Sequence, residues 1–138
     1  MRYGVGTSII LRVLTGKPES LASVVRTRIE GLWLDGVVLD VCDLVVSEAY
    51  FALQHSYRLS KASALNALAK LSVHPGFRLS SQVIAALQTP DLATAKPGFL
   101  DRVIHDTYVT DDESVMLTCE KDARKLGGVE VVKDRVTA

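Results

Sequence analysis

A chain of 138 residues has room for one domain with a sizeable core and too little for two of ordinary size. Hydrophobic residues make up 48% and charged residues 23%, which excludes a mainly disordered chain. Lys and Arg number 16 against 16 Asp and Glu, so bulk charge gives no pull towards nucleic acid, and any such contact needs a local basic patch.

Arg2 to Val5 reads as a short first strand, weakened by Gly4. From Thr7 the pattern turns helical, with Ile9, Ile10, Val13 and Leu14 on one face, and Gly16 and Pro18 end it. Leu21, Val24, Val25, Ile29 and Leu32 form the stripe of a second helix, closed by the turn Asp35-Gly36. Gly36 to Val41 is short and β-branched, a second strand. Asp43 is placed to cap a helix running to about Tyr57. Ser60 caps the next, with Leu65, Leu68 and Leu71 inward, and Pro75-Gly76 breaks it.

Phe77 to Leu79 suggests a third strand, and Val83, Ile84 and Leu87 a following helix. Thr89 to Gly98 is a loop. Phe99 to Tyr108 is helical, with Leu100, Val103, Ile104 and Thr107 as the expected buried face and Asp101, His105 and Tyr108 on another. Ser114 to Cys119 is a strand, Glu120 to Leu126 a short helix stopped by Gly127-Gly128, and Val129 to Val132 the last strand. Short apolar strands alternating with amphipathic helices indicate an α/β sandwich with a mainly parallel sheet, spanning residues 1–133, with a loose tail at 134–138.

No apolar run is long enough to span a bilayer; the richest, Val37 to Val46, is broken by Asp40 and Asp43. Charged and polar residues interrupt the first thirty positions, so no secretory leader is expected. Cys42 and Cys119 lie far apart and form no CxxC, which points to reduced, buried thiols in a cytosolic protein.

Gly4-Val5-Gly6 could open a dinucleotide-binding loop. The fingerprint needs a third glycine, but Ile9 stands there, and the nearest strand-end acid, Asp40, is too distant. No P-loop occurs either. More telling are the acids that map to the carboxyl edge of a parallel sheet: Glu48, Asp101, Glu120 and Asp122. Carboxylates gathered there repel one another unless a hard divalent cation binds them, and such a cation can carry a water to a phosphate. Taken singly, each acid is better read as a helix cap or a solvated charge; for the four at one edge the two readings are about even.

At four places the residues are similar to the motifs of PIN domains of the VapC toxin type. Gly6-Thr7-Ser8-Ile9-Ile10-Leu11-Arg12-Val13-Leu14-Thr15-Gly16 resembles the first motif and Val46-Ser47-Glu48-Ala49 the second. Gly98-Phe99-Leu100-Asp101-Arg102 resembles the third, and Thr118-Cys119-Glu120-Lys121-Asp122-Ala123 the fourth. Their order and spacing agree along the whole chain.

The resemblance implies a three-layer α/β/α sandwich and a cytoplasmic ribonuclease of a toxin–antitoxin system, dependent on Mg²⁺ or Mn²⁺. Glu48, Asp101 and Glu120 would serve the metal, Asp122 would assist, and the Ser8 and Thr118 hydroxyls would orient carboxylates or bind a phosphate oxygen. An antitoxin partner and a homodimer are also implied. In the family an aspartate precedes Thr-Ser, and here it is Gly6, so metal binding and RNA cleavage are expected to be weakened. A non-catalytic RNA- or protein-binding module is the alternative.

Arg12, Arg26 and Arg28, and the group Arg102, Lys121, Arg124 and Lys125 beside the acidic motifs, could hold an RNA backbone or be ordinary helix-surface charges. Of these, Arg12, Arg102 and Lys121 are the candidate substrate contacts. His55, His74 and His105 lack zinc spacing, and His105 is expected at the surface. Trp33 and Leu34, just before a turn, would either cap the core or help form a partner surface.

Overall fold

The computed structural model describes residues 1–133; the expected tail at 134–138 lies outside them. The order is β1 (Tyr3–Gly4), α1 (Thr7–Thr15), α2 (Glu19–Leu34), β2 (Leu39–Asp40), α3 (Asp43–His55) and α4 (Lys61–Ser72). Then come β3 (Phe77–Arg78), α5 (Ser81–Leu87), α6 (Phe99–Tyr108), β4 (Met116–Thr118), a 3₁₀ helix (Lys121–Leu126) and β5 (Val129–Val131). The chain is an α/β sandwich, and its paired strands are all parallel.

The strands form two separate hydrogen-bonded groups rather than one sheet: β1-β2-β3 and β4-β5. Tyr3, Leu39 and Phe77 are in register, as are Gly4, Asp40 and Arg78. The strands are shorter than the sequence suggests because their flanks are used elsewhere. Val37, for example, donates its N–H to Leu32 O (3.0 Å), and Gly36, at φ 80°, donates to Trp33 O (2.9 Å). These two bonds close the carboxyl end of α2 as a Schellman motif, so Val37 has no amide left for the ladder.

One apolar cluster joins the first sheet to its helices, with Ile10, Leu39, Leu53, Leu68 and Val83 almost wholly buried. Ser60 caps α4 as expected, accepting from the Ser63 amide at 3.1 Å, and Leu65, Leu68 and Leu71 point inward. Four expectations need correction. In α2 the buried stripe is Ala22, Val25, Ile29 and Leu32, while Leu21 and Val24 are exposed. Val25, Ile29 and Leu32 fix the face, Val24 lies well round from it, and of Leu21 and Ala22, which flank it on opposite sides, Ala22 is the one that is covered.

In α6 the buried residues are Phe99, Val103 and His105, and Ile104 is exposed. Phe99 turns the helix by packing edge-on against Tyr50, with ring centroids 5.2 Å apart. The helix α3 begins after Cys42, not after a capping Asp43. Asp43 sits inside the first turn, and its carboxylate accepts from Ser80 Oγ (2.6 Å) and Gln82 Nε2 (3.0 Å) across the sheet edge. Both cysteines are free, as expected, but exposed rather than buried. Among the described residues no helix is long and apolar enough to cross a membrane.

Candidate functional site

The carboxyl ends of the strands carry the acidic residues in two places. At the first, β1 ends and Gly6 becomes the residue preceding α1, with extended backbone (φ −83°, ψ 168°) and no side chain to cap the helix. That conformation is open to any amino acid, and a β-carbon added to Gly6 would meet nothing within 4 Å. Glycine is therefore not demanded by the backbone. The neighbouring Thr7 Oγ1 donates to Glu48 Oε1 at 3.1 Å, tying the start of α1 to the second turn of α3. The hydroxyl that reaches a carboxylate is thus that of Thr7, while Ser8 is exposed and its carbonyl accepts from Arg12 Nη1 at 3.4 Å.

At the second place a cavity of about 190 Å³ is lined by Asp101, Thr118 and Glu120, together with Ile104, Tyr108 and Met116. Asp101 lies in the first turn of α6, where the helix dipole favours a negative charge. Glu120 precedes the 3₁₀ helix, and its N–H donates to Thr118 Oγ1 at 3.1 Å, which fixes the backbone from which its side chain departs. Lys121 and Asp122, which open the 3₁₀ helix, are exposed. Arg102 donates from Nε to Pro97 O at 2.8 Å and so braces the loop entering α6.

The structure therefore brings Asp101 and Glu120 to one cavity and sets Glu48 beside Gly6. Glu48 and Asp122 are not among the residues that line that cavity. Among the described residues, no three His, Cys, Asp or Glu side chains form a group that could hold a metal ion. Gly6 contributes no side-chain oxygen at this edge.

Two nearby acids are already engaged. Asp40, at the end of β2, is gripped by Arg2 (2.9 Å) and Arg78 (3.1 Å), and Asp43 by Ser80 and Gln82. Arg12 is half-buried, with its Nε buried and without a hydrogen-bond partner among the described residues. Arg28 rests over the Tyr3 ring at 6.0 Å, and Lys125 Nζ donates to Lys96 O at 3.3 Å.

Behind the second place stands a residue that the sequence assigned to the surface. His105 is 5% exposed. Its Nδ1 lies 2.8 Å from Asp106 Oδ1 and its Nε2 2.6 Å from Gly127 O, so both ring nitrogens face acceptors. The ring ties α6, which carries Asp101, to the turn that follows the segment carrying Glu120. Comparison with protein-family models, with curated proteins and with solved structures finds no match to this chain.

Proposed function

We propose that this chain is a PIN-like ribonuclease scaffold, of the VapC toxin kind, in which Gly6 has removed a central carboxylate, so that it meets RNA in the cytoplasm but cleaves it poorly. The observation that supports this reading is the geometry at Gly6. The position ends the first strand, opens the first helix, neighbours the Thr7–Glu48 contact, and has extended backbone and free space for a side chain. An aspartate fits there without strain.

In this reading Mg²⁺ or Mn²⁺ binds weakly, since Glu48, Asp101 and Glu120 do not make a complete set by themselves. An antitoxin and a second copy of the chain are partners in the same proposal. The separation of the acids also favours a second reading, a binding module that never cleaves.

The test compares the chain with Gly6→Asp. In the nuclease reading, Gly6→Asp cleaves RNA faster by on the order of a hundredfold, and EDTA abolishes the gain. Its melting temperature also rises with Mn²⁺, whereas that of the unaltered chain stays put. The N-terminal cap itself adds only a few tenths of a kcal/mol, so a metal-dependent rise is not a capping effect. Efficient cleavage by the unaltered chain would overturn the role given to Gly6. If neither protein cleaves and neither responds to Mn²⁺, the binding-module reading stands instead.

A further inference from the structure

At the amino ends of the strands, away from the acidic edge, lies a cavity of about 340 Å³, within the range of small-molecule pockets. Val13 and Leu14 of α1, Trp33 of α2 and Phe77 of β3 supply apolar walls. The aromatic wall is fixed in place. Trp33 Nε1 donates to Gly76 O at 3.0 Å, and the same oxygen accepts from the Leu39 amide at 2.9 Å. His74 stacks on Trp33 with centroids 4.8 Å apart, and Phe77 meets it edge-on at 5.6 Å. A β-carbon on Gly76 would collide with the indole, so glycine is required here by close packing.

Of the polar groups of the cavity, Ser63 and Asn66 can donate or accept, and Lys70 only donates. Ser63, Asn66 and Lys70 recur at three- and four-residue spacing and share one face of α4. His74 Nδ1 accepts from the Gly76 amide at 2.9 Å, so the ring's proton belongs on Nε2, which is left as a donor. Lys70 is the one fully charged lining residue. It makes no ion pair among the described residues, and no acid lines the cavity. A rigid apolar bed with donors and a single unpaired cation at its rim suits a ligand with one negative charge and an apolar body.

We propose that this cavity binds a small monocarboxylic acid, its carboxylate held by Lys70 with help from Asn66 or His74, and its chain or ring laid against Trp33. A phosphate monoester, carrying nearly two charges, is less well matched by one lysine.

Trp33 is the single tryptophan of the chain, so its emission reads this cavity alone. The test titrates the full chain with hexanoate, hexanamide and hexyl phosphate. A saturable emission change with hexanoate is expected on the order of millimolar, as befits a ligand of few atoms. Hexanamide should bind about tenfold more weakly, a difference of about 1.4 kcal/mol. Lys70→Met keeps the apolar stem and removes the charge, and it should bring hexanoate down to the level of the amide while leaving the amide unchanged. Equal binding of acid and amide, tighter binding of hexyl phosphate, an unchanged preference in Lys70→Met, or no response to hexanoate would each overturn the assignment.

Discussion

The two parallel sheets of this molecule are held by different forces. The β1-β2-β3 sheet lies in a continuous apolar cluster that takes in Leu39, Phe77 and Leu79 and the helices around them. The β4-β5 pair and the 3₁₀ helix between its strands bury the apolar side chains of Met116 and Ala123, and both lie outside that cluster. Val115 and Leu117 on this side are more than 60% exposed. Beside the small apolar contact made by Met116 and Ala123, the pair is attached to the body by a buried polar clamp, His105 reaching Gly127 O, and the turn before β4 is closed on itself by Asp111. Apolar burial is additive and non-directional, whereas a buried polar clamp depends on each partner being in place. The first sheet should therefore fail only with the whole fold, and the second should be able to open by itself.

The sharpest contrast comes from one deletion in each region. Leu68, 0% exposed, is central to the apolar cluster. Leu68→Ala should cost about 3–5 kcal/mol, through lost transfer energy and the cavity left behind. Urea unfolding would show a lower midpoint, and amide exchange would rise throughout both sheets. His105→Leu should cost less, about 1–2 kcal/mol, chiefly through loss of the hydrogen bond from the ring to the Gly127 carbonyl. Its exchange should rise selectively in β4, β5 and the 3₁₀ helix. If His105→Leu instead raises exchange equally in β1-β2-β3, the two regions are one cooperative unit and the distinction fails.

The same contrast marks what could be read from the sequence. Local chemistry was legible. The helix Phe99–Tyr108 has the bounds its composition indicates, Ser60 caps α4, and the Gly127-Gly128 stop falls in place. Leu65, Leu68 and Leu71 show their inward face because nothing competes with a leucine stripe. The burial of His105 was not legible, since the acceptor that satisfies its Nε2 lies 22 residues away. A histidine beside polar neighbours reads as surface until that partner is known.

The candidate site divides in the same way. The acids could be assigned to the carboxyl edge of the sheet from strand order. That Thr7, not Ser8, touches Glu48 depends on the relative rotation of α1 and α3 across 41 residues. Its one local signal was that Thr7 is the first residue after the Gly6 turn. Asp43 looked like a cap because its type and position suit one, and Ser80 and Gln82, 37 and 39 residues on, claim the carboxylate instead.

The smallest expected effect tests the polar turn that leads into β4. Asp111 Oδ1 accepts from Ser114 Oγ and from the Glu113 amide, both at 2.9 Å. The Ser114 hydrogen bond, followed by that of the Glu113 amide, holds this carboxyl below its ordinary value. A carboxyl that is more acidic folded than unfolded binds fewer protons in the native state between the two values, so its contribution grows with pH across that window. The contribution is fully present above the unfolded value, near 4, and is lost as pH falls through the folded one. Asp111→Asn should therefore lower the urea midpoint slightly at pH 7, and the gap from the unaltered protein should narrow towards pH 3. The carboxylate is solvent-exposed, so the gap should also shrink in high salt, where the buried His105 contact is largely unaffected. A gap that stays constant from pH 7 to pH 3 would mean that the turn is held by the hydrogen-bond geometry alone, with no contribution from the charge on Asp111.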